Sequence, residues 1–158
     1  MRKVTLTIIL SLAMCTPALA DSAATNGKAV SDAFGKACGA GDIPSVMALY
    51  DDDAIAVWPG QGEVAHGKAE IETMAKNLCK PGAAPLKLVS QESRAVDRDH
   101  IINIGRWEMP APGPDGKPAT LEIRTTELLH KSDGKWRYEI DHASIGTPPP
   151  PASTATKS

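Results

Sequence analysis

Trp136-Arg137-Tyr138-Glu139-Ile140-Asp141-His142-Ala143-Ser144 is the stretch on which the reading of the fold turns. Strand alternation sets Trp136, Tyr138, Ile140, His142 and Ser144 on one face, with Arg137, Glu139 and Asp141 on the other. The first face begins with large apolar bodies and ends with an imidazole and a hydroxyl. Such a strand can serve a hydrophobic core at one end and the wall of a polar pocket at the other.

Three further period-2 segments precede it, Leu86 to Ala95, Ile101 to Met109 and Thr120 to His130. Asp97-Arg98-Asp99, Pro112 to Gly116 and Ser132-Asp133-Gly134 separate them as hairpin turns. Upstream the period is helical. Ala29 to Cys38 forms one helix, stopped by Gly39 and Gly41, and Asp42 caps a short second helix with Pro44 in its first turn. Asp51-Asp52-Asp53 reads as a polar turn, and Ala54 to Trp58 as a strand ended by Pro59-Gly60. A further helix starts at His66-Gly67-Lys68, with Ile71, Met74, Ala75 and Leu78 on one stripe, and Lys80-Pro81-Gly82 ends it. Helices followed by an antiparallel meander make an α+β pattern. The chain carries no internal repeat, phosphate-binding loop, dinucleotide fingerprint, zinc-protease helix or serine-hydrolase elbow.

The ends of the chain read differently. Residues 1–20 have the form of a secretory signal: Arg2 and Lys3, a short apolar run, then an A-x-A site before Asp21. The run is too short to span a bilayer, which needs roughly 20 apolar residues. The expectation is a periplasmic or secreted protein with no membrane association after cleavage. The formal charge is −2, and loss of Arg2 and Lys3 makes it two units more negative. Basic residues are not concentrated along any stretch, which argues against nucleic acid as a partner. Residues 146–158, with Pro148 to Pro151 at their centre, are expected to be a disordered tail. Cys38 and Cys79 either form a disulfide or stand as two separate buried thiols. Closing that loop of about 42 residues would stabilise by roughly 4 kcal/mol. Neither cysteine has His or carboxylate neighbours at metal-ligand spacing, so no metal site is expected.

The order of elements over Val30 to Ser144 resembles the NTF2-like superfamily (SnoaL-like, DUF4440). The residues that carry the resemblance are Ala48-Leu49-Tyr50 and the strand Ala54-Ile55-Ala56-Val57-Trp58-Pro59, then the helix start Gly67-Lys68-Ala69-Glu70-Ile71. Arg124-Thr125-Thr126 matches an Arg-x-Thr pair on the penultimate strand, and Asp133-Gly134-Lys135-Trp136 the last hairpin. One branch, like the association domain of calmodulin-dependent kinases, ends in a His-His-Ser-Ser-like run followed by Pro. Asp141-His142-Ala143-Ser144 keeps its second His and last Ser. The resemblance implies a cone in which N-terminal helices pack into a strongly curved antiparallel sheet, in a single domain over residues 21–145.

In such a cone a cavity lies between the helices and the concave face. The expected ligand-binding residues are His142, Arg124, Trp58, Ser144, Tyr50 and Trp107. His142, as an imidazole, would be the catalytic base if there is one; a core His satisfied by Ser144 or a backbone carbonyl is the alternative. Arg124 shares a face with Thr126 and Leu128, away from Leu121, Ile123 and Leu129. If buried, it would need a carboxylate from the ligand or from Glu122 or Asp53. Trp58, Trp107 and Tyr50 serve equally as core aromatics. Ketosteroid isomerases share the superfamily, and they need an Asp base, a Tyr and a protonated Asp in an apolar cavity. Asp51 to Asp53 lie in a turn and Asp141 points away from His142, so that set is not expected. The first expectation is a domain that binds an unidentified small molecule without a cofactor. The alternatives are a cofactor-free acid/base enzyme (an isomerase or hydratase) and a homodimeric assembly module paired through the outer sheet face.

Overall fold

Hydrophobic stripes and hairpin turns assemble much as the period of the sequence implies, with one shift of phase that moves the site. The computed structural model describes residues 17–59, 64–82, 85–113 and 117–146, with side chains from residue 22 onward. Most of the expected signal segment and nearly all of the expected tail lie outside the described residues. Helix α1 spans Pro17–Ala40, longer than the stripe from Ala29 to Cys38 suggests, and it runs unbroken across Ala20–Asp21. The short α2 (Ile43–Met47) is capped by Asp42, whose carboxylate accepts from the Ser45 backbone N–H at 3.1 Å and from its hydroxyl at 2.6 Å. Helix α3 (Gly67–Leu78) buries Ile71, Met74 and Ala75.

Among the described residues six strands form one sheet: β1 Tyr50–Val57, β2 Val64–His66, β3 Lys87–Ala95, β4 His100–Pro112, β5 Pro118–Ser132 and β6 Lys135–Ile145. Their order is β2-β1-β6-β5-β4-β3, and every pairing is antiparallel except β1 with β6. Asp133 and Gly134 both take positive φ (52° and 73°), the left-handed pair that a two-residue hairpin requires. Asp51-Asp52-Asp53 belongs to β1 and is not a turn. Asp52 stays exposed and pairs with Lys68 at 2.6 Å, while the less exposed Asp51 lies 2.9 Å from His130 Nδ1, so both acids are partnered in the extended chain.

The concave face is covered by α1, against β3, β4 and β6, and by α3, against β1. Phe34 of α1 is the centre of the core, meeting the rings of Trp58, Tyr138 and Trp107 edge-on at 5.9, 6.1 and 6.3 Å. Gly27 lets α1 approach the sheet closely, since a Cβ there would collide with Asn103 Oδ1 and Ser93 Oγ.

The phase shift lies in β6. Tyr138 stands opposite Leu129 and Ile140 opposite Leu128, so Glu139 is an extra residue, a β-bulge. Beyond it the alternation inverts. Asp141 and Ala143 turn inward, while Ile140, His142 and Ser144 turn outward. The face assignment made from strict alternation is therefore corrected: Tyr138 faces the core, but His142 and Ser144 do not share its side.

Cys38 and Cys79 are joined in a disulfide that ties the C-terminal end of α1 to the C-cap of α3. Both sulfurs sit in the core. Replacing both by Ser should destabilise the fold by about 4 kcal/mol, measured by urea denaturation. Far-UV circular dichroism should be unchanged below the transition.

Candidate functional site

Cross-strand register builds the site in rows. One row runs Asn103 on β4, Glu127 on β5, Asp141 on β6 and Ala56 on β1. The next is Gly105, Thr125 and Ala143, and the next Trp107, Ile123 and Ile145. Polar groups thus occupy the deep rows and apolar ones the shallow rows. Glu127 and Asp141 are direct cross-strand partners, a placement that is unfavourable for two like charges.

Both acids are almost fully enclosed, with Glu127 3% and Asp141 5% exposed. Asp141 Oδ2 accepts from the Tyr50 hydroxyl at 2.5 Å and from the Trp58 indole N–H at 2.7 Å. Glu127 Oε2 accepts from the Asn103 amide at 3.1 Å. Burial lifts the Asp141 carboxyl above its ordinary range, against the pull of the Tyr50 and Trp58 bonds and of the nearby His142 imidazole. Burial also raises Glu127 to about 7, and the charge of Asp141 adds to this; Thr125 and Asn103 act in the opposite sense. Two carboxyls held opposite each other in such surroundings each make the other harder to ionise. Tyr50 and Tyr138 are raised well above 10, chiefly by burial, so both remain phenols.

Above the pair opens a cavity of about 250 Å³. Its walls are Phe34, Trp58, Trp107 and Tyr138, its rim includes Leu78, Leu86, Met109 and Leu121, and Glu127, Asp141 and Thr125 are its polar groups. Among the described residues no Lys, Arg or His lines it. Thr125 Oγ1 is buried there, near enough to Glu127 to lower its pKa, and makes no hydrogen bond within 3.5 Å among the described residues.

The expected site residues divide in two. Trp58 and Trp107 line the cavity, and Tyr50 stands behind Asp141 and holds it. His142, Arg124 and Ser144 belong to the outer face, His142 and Arg124 exposed and Ser144 half-buried. The bulge accounts for His142 and Ser144. Arg124 is outward because Ile123, Thr125, Glu127 and Leu129 take the inner face of β5. The carboxylate of Glu122, one possible partner for Arg124, instead bonds Arg106 at 3.2 Å. Sequence reasoning missed Glu127 and Asp141. Glu127 was legible, because it shares the alternation of Leu121, Ile123 and Leu129 and so puts an acid on an apolar strand face.

A family model described as a SnoaL-like domain matches residues 28–148. No curated protein matches the sequence. Among solved structures the chain is similar to a protein from Xanthomonas campestris described as a calcium/calmodulin dependent protein kinase II association domain. Identity there is 22% over 76% of this chain and 85% of that one, with a TM-score of 0.66. An NTF-2-like protein of unknown function from Shewanella oneidensis MR-1 is 20% identical over 77% of this chain and 98% of that one, TM-score 0.61. A ketosteroid isomerase-like protein from Erwinia carotovora atroseptica SCRI1043 is 23% identical over 83% and 96%, TM-score 0.59. These likenesses establish the NTF2-like fold.

The raised Glu127 carboxyl links stability to pH. Its folded value of about 7 lies above the ordinary 4.5, so the folded state binds the proton more tightly between these values. Stability should therefore be greatest below pH 4.5 as far as this group is concerned, and decline as pH rises to 7. The loss should be on the order of 3 kcal/mol. His100, raised by its bond to Asp97, acts in the same direction, so Glu127→Gln is the control. Melting curves from pH 5 to 8 should fall less steeply in that variant than in the wild type.

Proposed function

The chain belongs to the SnoaL-like domain family, and from that premise we propose that it binds a small, largely apolar molecule in the cavity. The polar end of the ligand would rest on Glu127 and Asp141. The observation that carries this reading is an open apolar cavity whose floor is a pair of buried carboxyl groups. Folding alone gains nothing from such a pair, since burying two acids opposite each other costs stability. Acid/base catalysis without a cofactor is favoured by the same pair. A buried carboxyl that gives up its proton near neutrality, set opposite a second buried carboxyl, is suited to moving a proton on a bound substrate. The ketosteroid isomerase-like relative supports that direction. The base would then be Glu127 or Asp141, in place of His142.

A second reading, homodimer assembly, rests on the convex face. Ile102, Leu128, Ile140 and Ile55 form one outward row across β4, β5, β6 and β1. Of these, Ile140 is 42% and Ile55 38% exposed, and Ile104 beside them is 54% exposed. This face is more apolar than Arg137 and Glu139 suggest from sequence. The association-domain relative points the same way. Export to the periplasm is part of the proposal, supported by the form of residues 1–20 and by the disulfide.

Trp58 and Trp107 line the cavity, so an occupant should change their fluorescence. Naphthalene derivatives should quench it saturably. Ala143→Phe, which fills the cavity from β6, should weaken binding at least about tenfold, or about 1.4 kcal/mol. Equal binding by both proteins would place the probe elsewhere. Ile140→Glu should shift the subunit count in native mass spectrometry from two to one. An unchanged count would remove the assembly reading.

A further inference from the structure

The geometry points to a ligand that is a cation, a protonated amine on a compact apolar or aromatic body. This assignment rests on the cavity-binding reading and narrows it. The cavity has two acids and, among the described residues, no basic side chain. Among the described residues both acids are held by neutral groups: the Tyr50 hydroxyl, the Trp58 indole and the Asn103 amide, with the Thr125 hydroxyl beside Glu127. All three bonds fall on one oxygen of each carboxyl, Asp141 Oδ2 and Glu127 Oε2. Asp141 Oδ1 and Glu127 Oε1 therefore remain as acceptors for a guest. Thr125 Oγ1 is a third polar atom for a guest; its residue is 7% exposed, it lines the same cavity beside Glu127, and it has no hydrogen bond within 3.5 Å among the described residues. A primary ammonium group brings three N–H donors and no acceptor.

The walls suit the same charge. Phe34, Trp58, Trp107 and Tyr138 line the same cavity as the acids, and the negative faces of aromatic rings attract cations. An anionic ligand would add a negative charge to a pair whose members already make each other harder to ionise. A neutral carbonyl compound could accept one hydrogen bond from the pair, leaving the other acceptors unfilled. An ammonium group fills them and supplies the missing counter-charge. Its entry favours the ionised pair, so the proton displaced from the carboxyls leaves to solvent while the amine keeps its own. The bound state is then an ion pair, shielded from water by the rim residues Leu78, Leu86, Met109 and Leu121.

Three probes with the same bicyclic body test the assignment: 2-naphthylmethylamine, 2-naphthylmethanol and 2-naphthoate. Titration calorimetry at pH 6, in two buffers of different ionisation enthalpy, reads affinity and proton release together. The amine should bind at least about tenfold more tightly than the alcohol, and release up to about one proton per site. Naphthoate should bind most weakly. Asp141→Asn and Glu127→Gln, tested separately in case one does not fold, should each reduce the preference for the amine and the proton release. An alcohol or naphthoate that binds as tightly as the amine overturns the cationic ligand and leaves the cavity reading standing. Failure of all three to bind overturns both.

Discussion

Glu139 has no residue opposite it on β5, and the orientation of every side chain after it in β6 follows from that vacancy in the ladder. In a strand the side-chain period is two, so one inserted residue exchanges the inner and outer sets completely. Without the bulge, Ile140, His142 and Ser144 would continue the face of Tyr138. With it, Asp141 arrives opposite Glu127 and within reach of Tyr50 and Trp58. The placing of a second carboxyl opposite Glu127 is a consequence of this insertion.

The surroundings of the pair are arranged so that burial is tolerated. Asp141 takes two hydrogen bonds and Glu127 takes one from Asn103, which is itself covered by α1 at the Gly27 approach. A buried carboxyl satisfied by neutral donors survives because it can keep its proton, and that retention is what raises its pKa. The disulfide between α1 and α3 holds together the two helices that cover the sheet. Stability supplied by the cross-link and by the aromatic cluster around Phe34 offsets what the acid pair costs. A site of this kind departs from the usual rule for cores, and such departures concentrate where function resides.

The two sides of the sheet have separate uses. Inward rows grade from acids to aliphatic side chains, suited to a guest with one polar end and an apolar body. Outward rows include Ile102, Ile104, Leu128 and Ile140, suited to another protein surface. His142 and Arg124 lie on that outer side, so their chemistry belongs to the surface.

The sequence by itself determined the class of fold. Helical stripes, the Asp42 cap, the Asp133-Gly134 turn and four period-2 segments are local signals, and each corresponds to an observed element. Part of the site was also local: Trp58 at a strand end, and Glu127 in step with Leu121, Ile123 and Leu129. Only the tertiary structure decided which way Asp141 and His142 point. A bulge answers to pairing with the neighbouring strand, and the alternation of apolar and polar residues runs unbroken past Glu139, from Trp136 to Asp141. The pairing of Cys38 with Cys79 was decided in the same way, because two cysteines 41 positions apart meet only when α1 and α3 cover the same sheet.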